Sequence, residues 1–131
     1  MADSSESKAG TDQSDVDRLL TSEVRHGVCV VRFVEPVLRD SDRLEELKQT
    51  CLQLTCKHRR FVVNMTVVRY CSSIALSSLV LMRNTVTRHG GRVHLCGVSG
   101  PLADILTATG LDELFSWFDT EEEALADLVE A

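Results

Sequence analysis

The chain has 131 residues, with 14 Lys and Arg against 20 Asp and Glu and a formal net charge of -6 at pH 7. That length suits one domain, and 44% hydrophobic residues can furnish its core. The acidity argues against nucleic acid, which needs a basic face. No apolar run approaches the ~20 residues that span a bilayer. The opening Met-Ala-Asp-Ser-Ser-Glu-Ser has neither the basic nor the apolar region of a secretory signal. A cytoplasmic protein with no membrane partner is expected.

Residues 1–17 are rich in Ser, Asp, Glu and Gly with almost nothing to bury, which predicts a disordered N-terminal tail. From Leu20 to Phe33, two strand-like runs flank His26-Gly27, the pattern of a hairpin whose turn needs positive φ. The dense run Val28 to Phe33 predicts a strand buried on both faces. After Pro36, Asp40 or Ser41 can cap a helix carrying Leu44, Leu47, Cys51 and Leu54 on one side. Phe61 to Met65 then reads as a short apolar strand. The basic run Lys57-His58-Arg59-Arg60 before it could be an anion site, although cations at a helix C-terminus are ordinary.

A long helix is predicted from Ser72 or Ser73, both suitable caps, to His89, with Gly90-Gly91 as its stop. A strand over 92–98 follows, then a short helix opened by Gly100-Pro101 and closed by Gly110. A last strand covers 114–118, and Asp119 to Glu123 opens a terminal helix with capping-box spacing. The order β-β-α-β-α-β-α-β-α predicts an α/β fold, a single domain with a mainly parallel β-sheet and an N-terminal hairpin. Strand order does not follow from the pattern.

Chemistry is sparse. The chain has no G-x-G-x-x-G or Walker loop and no G-x-S-x-G elbow, and it implies no cofactor. Five cysteines, an odd number mostly inside apolar segments, suit packed thiols better than disulfides. A zinc site on Cys51, Cys56 and His58 has no standard spacing. Cys71, just before a helix N-terminus that lowers thiol pKa, is a conceivable nucleophile with no base placed beside it. First-turn acids explain Glu121-Glu122-Glu123, and packing explains Trp117. An enzyme is therefore not expected. Ser72 and Ser73 stand where a helix begins, which suits a cap. A phosphate there would be tolerated by the helix N-terminus while changing the sign of the surface.

Residues 61–128 resemble the STAS domains of bacterial anti-sigma factor antagonists. That family has Asp-Ser-Ser/Thr-Gly-Leu opening a helix, then Gly-Gly, a strand, and a Ser/Thr-Gly-Leu-like element. Here Cys71-Ser72-Ser73-Ile74-Ala75-Leu76, Gly90-Gly91, Arg92 to Cys96 and Thr109-Gly110-Leu111 follow that order. Val28 to Phe33 and Asp40 to Leu47 fit the family's second strand and first helix, so the resemblance covers roughly residues 20–129, within a STAS domain at 18–131. It implies partner switching, in which the protein binds a serine-kinase anti-sigma factor and frees the sigma factor. Phosphorylation breaks that complex, and a metal-dependent serine phosphatase restores it. The resemblance places the phosphorylated serine at Ser72, with Ser73 as runner-up, and puts Asp40, Cys71, Ser72, Ser73 and Ile74 at the partner surface. Cys71 and Ile74 stand where the family has Asp and Gly. A monomer or weak homodimer is implied. The alternative is a STAS scaffold or binding module that works without phosphorylation.

Overall fold

The structure is a computed structural model, described over residues 20–38, 49–50 and 52–130. The tail expected at 1–17 and the helix cap expected at Asp40 or Ser41 lie outside these residues.

Strands β1 (Leu20–Arg25) and β2 (Val28–Phe33) form the antiparallel hairpin. Its turn holds His26 at φ 53° and Gly27 at φ 80°, the pair of left-handed residues that joins right-twisted strands closely. Strands β3 (Val37–Leu38), β4 (Arg60–Asn64), β5 (Tyr70–Cys71), β6 (Arg92–Cys96) and β7 (Ser116–Phe118) follow. Helix α1 is described over 49–50 and 52–55. Helices α2 (Ser73–Arg88), α3 (Gly100–Ala108) and α4 (Glu121–Glu130) complete the fold, with a 3-10 turn at Leu111–Glu113.

The main sheet runs β1-β2-β4-β6-β7. Every pairing after the hairpin is parallel, as alternating strands and helices require. Strand β2 is buried on both faces, and its alternation divides the core in two. Cys29, Val31 and Phe33 join Phe61, Val63 and Leu95 under α2 and α3. Val28 and Val30 join Val62, Cys96, Leu125 and Leu128 under α4.

Besides the strand expected over 92–98, which ends at Cys96 before Gly97 at φ 74°, two features depart from the expected elements. The last strand begins at Ser116 rather than Leu114 because the 3-10 turn at Leu111–Glu113 holds Leu114 as well, whose amide donates to the Leu111 carbonyl at 3.0 Å. The second is a two-stranded parallel ladder, β3 with β5, pairing Val37 with Tyr70 and Leu38 with Cys71. Two-residue strands are too short to show periodicity.

The α4 face is closed partly by polar groups. Glu121 accepts from Arg32 Nε at 2.9 Å and Nη2 at 2.7 Å, from Arg25 Nη1 at 2.7 Å and from Asn64 Nδ2 at 2.9 Å. Asn64 Oδ1 in turn accepts from the Thr66 amide and hydroxyl. These donors, Arg32 first, hold the Glu121 carboxyl down at about 2. The capping box forms as its spacing indicates, with Thr120 N donating to Glu123 Oε1 and Glu123 N to Thr120 Oγ1, both at 3.2 Å. Near the other end of α4, buried His94 meets Asp127 Oδ2 through Nε2 at 2.6 Å. A carboxylate acceptor requires that Nε2 carry the proton.

Candidate functional site

The site stands where β5 hands over to α2. Ser72 is the N-cap of α2, and its Oγ accepts from the Ala75 amide at 3.2 Å. Of the two serines able to cap, the structure uses Ser72, because its extended backbone (φ -72°, ψ 169°) aims the side chain back at the first turn. The small ladder holds that position, since the Ser72 amide donates to the Leu38 carbonyl at 2.8 Å. One step earlier, the Arg69 amide donates to the Pro36 carbonyl at 2.7 Å. Segment 36–38 therefore sets where the helix starts. That link joins residues over 30 positions apart and was not legible in the sequence.

The four described members of the expected site are consecutive but differ in access. Ser73 is exposed, and Ile74 is 49% exposed. Ser72 is only 8% exposed, and the hydrogen bond that its hydroxyl accepts is itself buried. Cys71 is buried, and burial pushes its thiol up to about 11. The helix N-terminus thus fails to favour a thiolate there, and Cys71 presents neither a nucleophile at neutral pH nor a surface contact. Asp40 lies outside the described residues, two positions beyond Leu38.

Residues not among those expected at the partner surface share this end of the molecule. Val34 follows the C-terminal end of β2, while Val67 and Tyr70 follow that of β4. Val67 is 45% and Tyr70 48% exposed. With Ile74 they give the C-terminal end of the parallel strands an apolar character, beside the exposed Arg69. No periodicity marks them, because they are spread over the loop after β2, the connection from β4 to β5 and the first turn of α2. The loop carrying Val67 is packed closely from the side. At Gly97, φ is +74° and an added Cβ would collide with backbone and side-chain atoms of Thr66, so glycine is required there.

Among the described residues, no group of three His, Cys, Asp or Glu side chains is placed to hold a metal. Cys56 is exposed and His58 half-buried, while Cys51, the other member of the expected zinc group, lies outside them. Among the described residues, too, no helix is long and apolar enough to cross a membrane.

The family model for the STAS domain matches residues 20–124. The chain belongs to the STAS family. Solved structures agree in fold. An anti-sigma-factor antagonist (STAS) domain protein from Planctomyces limnophilus superposes with a TM-score of 0.75 at 23% identity, covering 83% of this chain and 96% of that one. The Bacillus cell fate determinant SpoIIAA in its phosphorylated form gives 0.65 at 18% identity, covering 82% and 97%. A sulfate transporter family protein from Wolinella succinogenes gives 0.67 at 21% identity, covering 83% and 93%. At such identities the likeness speaks for the fold alone. No curated protein matches the chain in sequence.

Proposed function

We propose that this STAS domain is a bacterial anti-sigma factor antagonist, a cytoplasmic regulatory binding protein rather than an enzyme, and that it switches partners through Ser72. The partner is a serine-kinase anti-sigma factor, and a metal-dependent serine phosphatase reverses the switch. One observation carries the reading. Ser72 Oγ caps α2 at 3.2 Å from the Ala75 amide, in an end of the molecule that also exposes Val67, Tyr70 and Ile74. An apolar rim suits a protein partner. A phosphate on Ser72 would add about −1.5 to −2 charges beside it.

The helix N-terminus accepts such a charge through its free amides, so the fold is kept. The interface is not kept, because a charge left unpaired in a desolvated contact costs several kcal/mol. Each ~1.4 kcal/mol is tenfold in affinity, so release by about a thousandfold is within reach. Ser73, the more exposed hydroxyl, is the second candidate acceptor.

The burial of Ser72 and the bulk of Ile74 favour one alternative, a STAS scaffold or binding module that works without phosphorylation. The deciding experiment incubates the protein with its serine-kinase anti-sigma factor and ATP, followed by intact-mass and peptide mass spectrometry. One added phosphate on Ser72 or Ser73, with Ser72→Asp weakening the complex about a thousandfold, is the expected result. If Ser72→Asp and Ser72→Ala bind alike and no phosphate is added, the scaffold reading replaces the switch.

A further inference from the structure

We propose that the end of the sheet opposite Ser72 is a second protein interface, built to take an acidic segment of a partner. Two basic runs separated by 27 residues of chain, Lys57 to Arg60 and Arg88 to Arg92, are brought together there. Arg60 and Arg92 are direct neighbours on β4 and β6. The Arg92 amide donates to the Arg59 carbonyl at 2.8 Å, and the Gly91 amide returns to the Val86 carbonyl at 2.9 Å. Gly91 makes this approach possible, since a Cβ there would collide with the Arg59 carbonyl oxygen. Arg88, in the last turn of α2, is thereby carried to the same rim.

The side chains of Lys57, Arg59, Arg60, Arg88, His89 and Arg92 are all exposed. Among the described residues, one carboxylate meets them, Asp127, at 3.5 Å from Arg92, and that carboxylate also receives His94. Cations at helix ends offset the macrodipole, but each helix C-terminus supplies only about half a negative charge. The C-terminal end of α4 adds as much again, its Leu128 carbonyl accepting from Arg60 Nη1 at 3.4 Å, yet three helix ends and Asp127, the one such carboxylate among the described residues, still fall well short of five permanent cations. The surplus stands out further on a chain of net charge -6.

The composition selects the kind of partner. Four of the five permanent cations are arginines, whose planar forks pair two-to-two with carboxylates. Among the described residues, the exposed Phe, Tyr or Trp is Tyr70 alone, at the far end, so the patch lacks the aromatic platform of a single-strand nucleic-acid site. Neither basic run contains an apolar side chain to enter a lipid surface. Neighbouring strands lie about 5 Å apart and a packed helix about 10 Å above its sheet. Four or five extended residues, at about 3.3 Å each, span that footprint. Such an interface leaves the Ser72 end free, so two partners could be held at once, whichever reading of Ser72 holds.

The test is fluorescence anisotropy of a labelled octaglutamate peptide with the full chain, at low and at physiological ionic strength. Salt-sensitive saturable binding is expected, weakened about tenfold or more by the pair Arg59→Glu and Arg88→Glu. Arg69→Glu, at the opposite end, should leave it unchanged. If the reversed pair fails to fold by circular dichroism, Arg59→Gln with Arg88→Gln should show the same direction with a smaller loss. Absence of binding, or equal weakening by Arg69→Glu, overturns the proposal. Tighter binding of an oligouridylate or of phosphatidylserine vesicles, lost with the same arginines, overturns the choice of an acidic protein segment.

Discussion

The two faces of the sheet are closed by different physics. Under α2 and α3 the closure is almost wholly apolar, with Phe61, Val63, Met65, Leu79, Met82 and Leu95 in one buried cluster. Under α4 the apolar cluster is smaller, and both ends of the helix are tied by charge. Glu121 is clasped by Arg25, Arg32 and Asn64 at one end, and Asp127 receives His94 and Arg92 at the other. Apolar burial scales with area and is indifferent to pH. A network of directed, charge-assisted bonds holds a short helix on less area, but only while its groups keep their charges. The molecule therefore has a salt- and pH-insensitive half, which carries Ser72, and a sensitive half, which does not.

The sharpest way to break this contrast is to cut equally buried apolar side chains on each face. Phe61→Ala should cost about 3–5 kcal/mol in urea denaturation and loosen the whole domain. Leu128→Ala should cost about 2–4 kcal/mol, and amide exchange should accelerate in α4 before α2. Equal acceleration in both helices would show that the faces do not act as separate units.

Glu121→Gln comes next, at about 1–3 kcal/mol near neutral pH, because Arg25 and Arg32 lose their charged acceptor. The carboxyl falls from an ordinary 4.5 to about 2 in the folded protein. Its contribution is thus fully present above about pH 4.5 and is lost as pH falls toward 2. Stability measured against pH should decline through that window in the native protein and decline less in the Gln variant. Parallel curves would remove Glu121 as the fastening of α4.

Ser72→Ala is the smallest effect, about 1 kcal/mol, from loss of the cap alone. The loss should be the same at pH 7 and pH 4, since the hydroxyl does not titrate. A pH-dependent loss would tie the site to the charged half and contradict the division.

Much of this was legible in the residues. The hairpin followed from His26-Gly27 between β-rich runs, and the Thr120–Glu123 box from its spacing, because a tight turn and a helix cap are each closed by residues within four positions of one another. The apolar run from Val28 announced a strand covered on both sides. Glu121 was legible only as a first-turn acid. Its real partners stand 57 to 96 positions away, and nothing in the local pattern distinguishes it from Glu122 or Glu123. The β3–β5 ladder was equally hidden, since two residues per strand leave no periodicity to read. The basic run at 57–60 reads locally as a helix end, and only the pairing of β4 with β6 sets Arg92 beside it.

By itself, the order of hydrophobic periods, caps and turn residues determined the α/β class, the parallel character of the sheet and the two serines, Ser72 and Ser73, at which α2 could begin. These depend on forces acting over a turn of helix or a tight loop, and such forces are written in adjacent residues. Only the tertiary structure decided the strand order β1-β2-β4-β6-β7, the choice of Ser72 over Ser73 as cap and the burial of Cys71. It also decided the meeting of Glu121 with two arginines and the assembly of a basic end on an acidic chain. Each of these depends on which distant segments share a boundary, and that is settled by how the two faces of the sheet are covered.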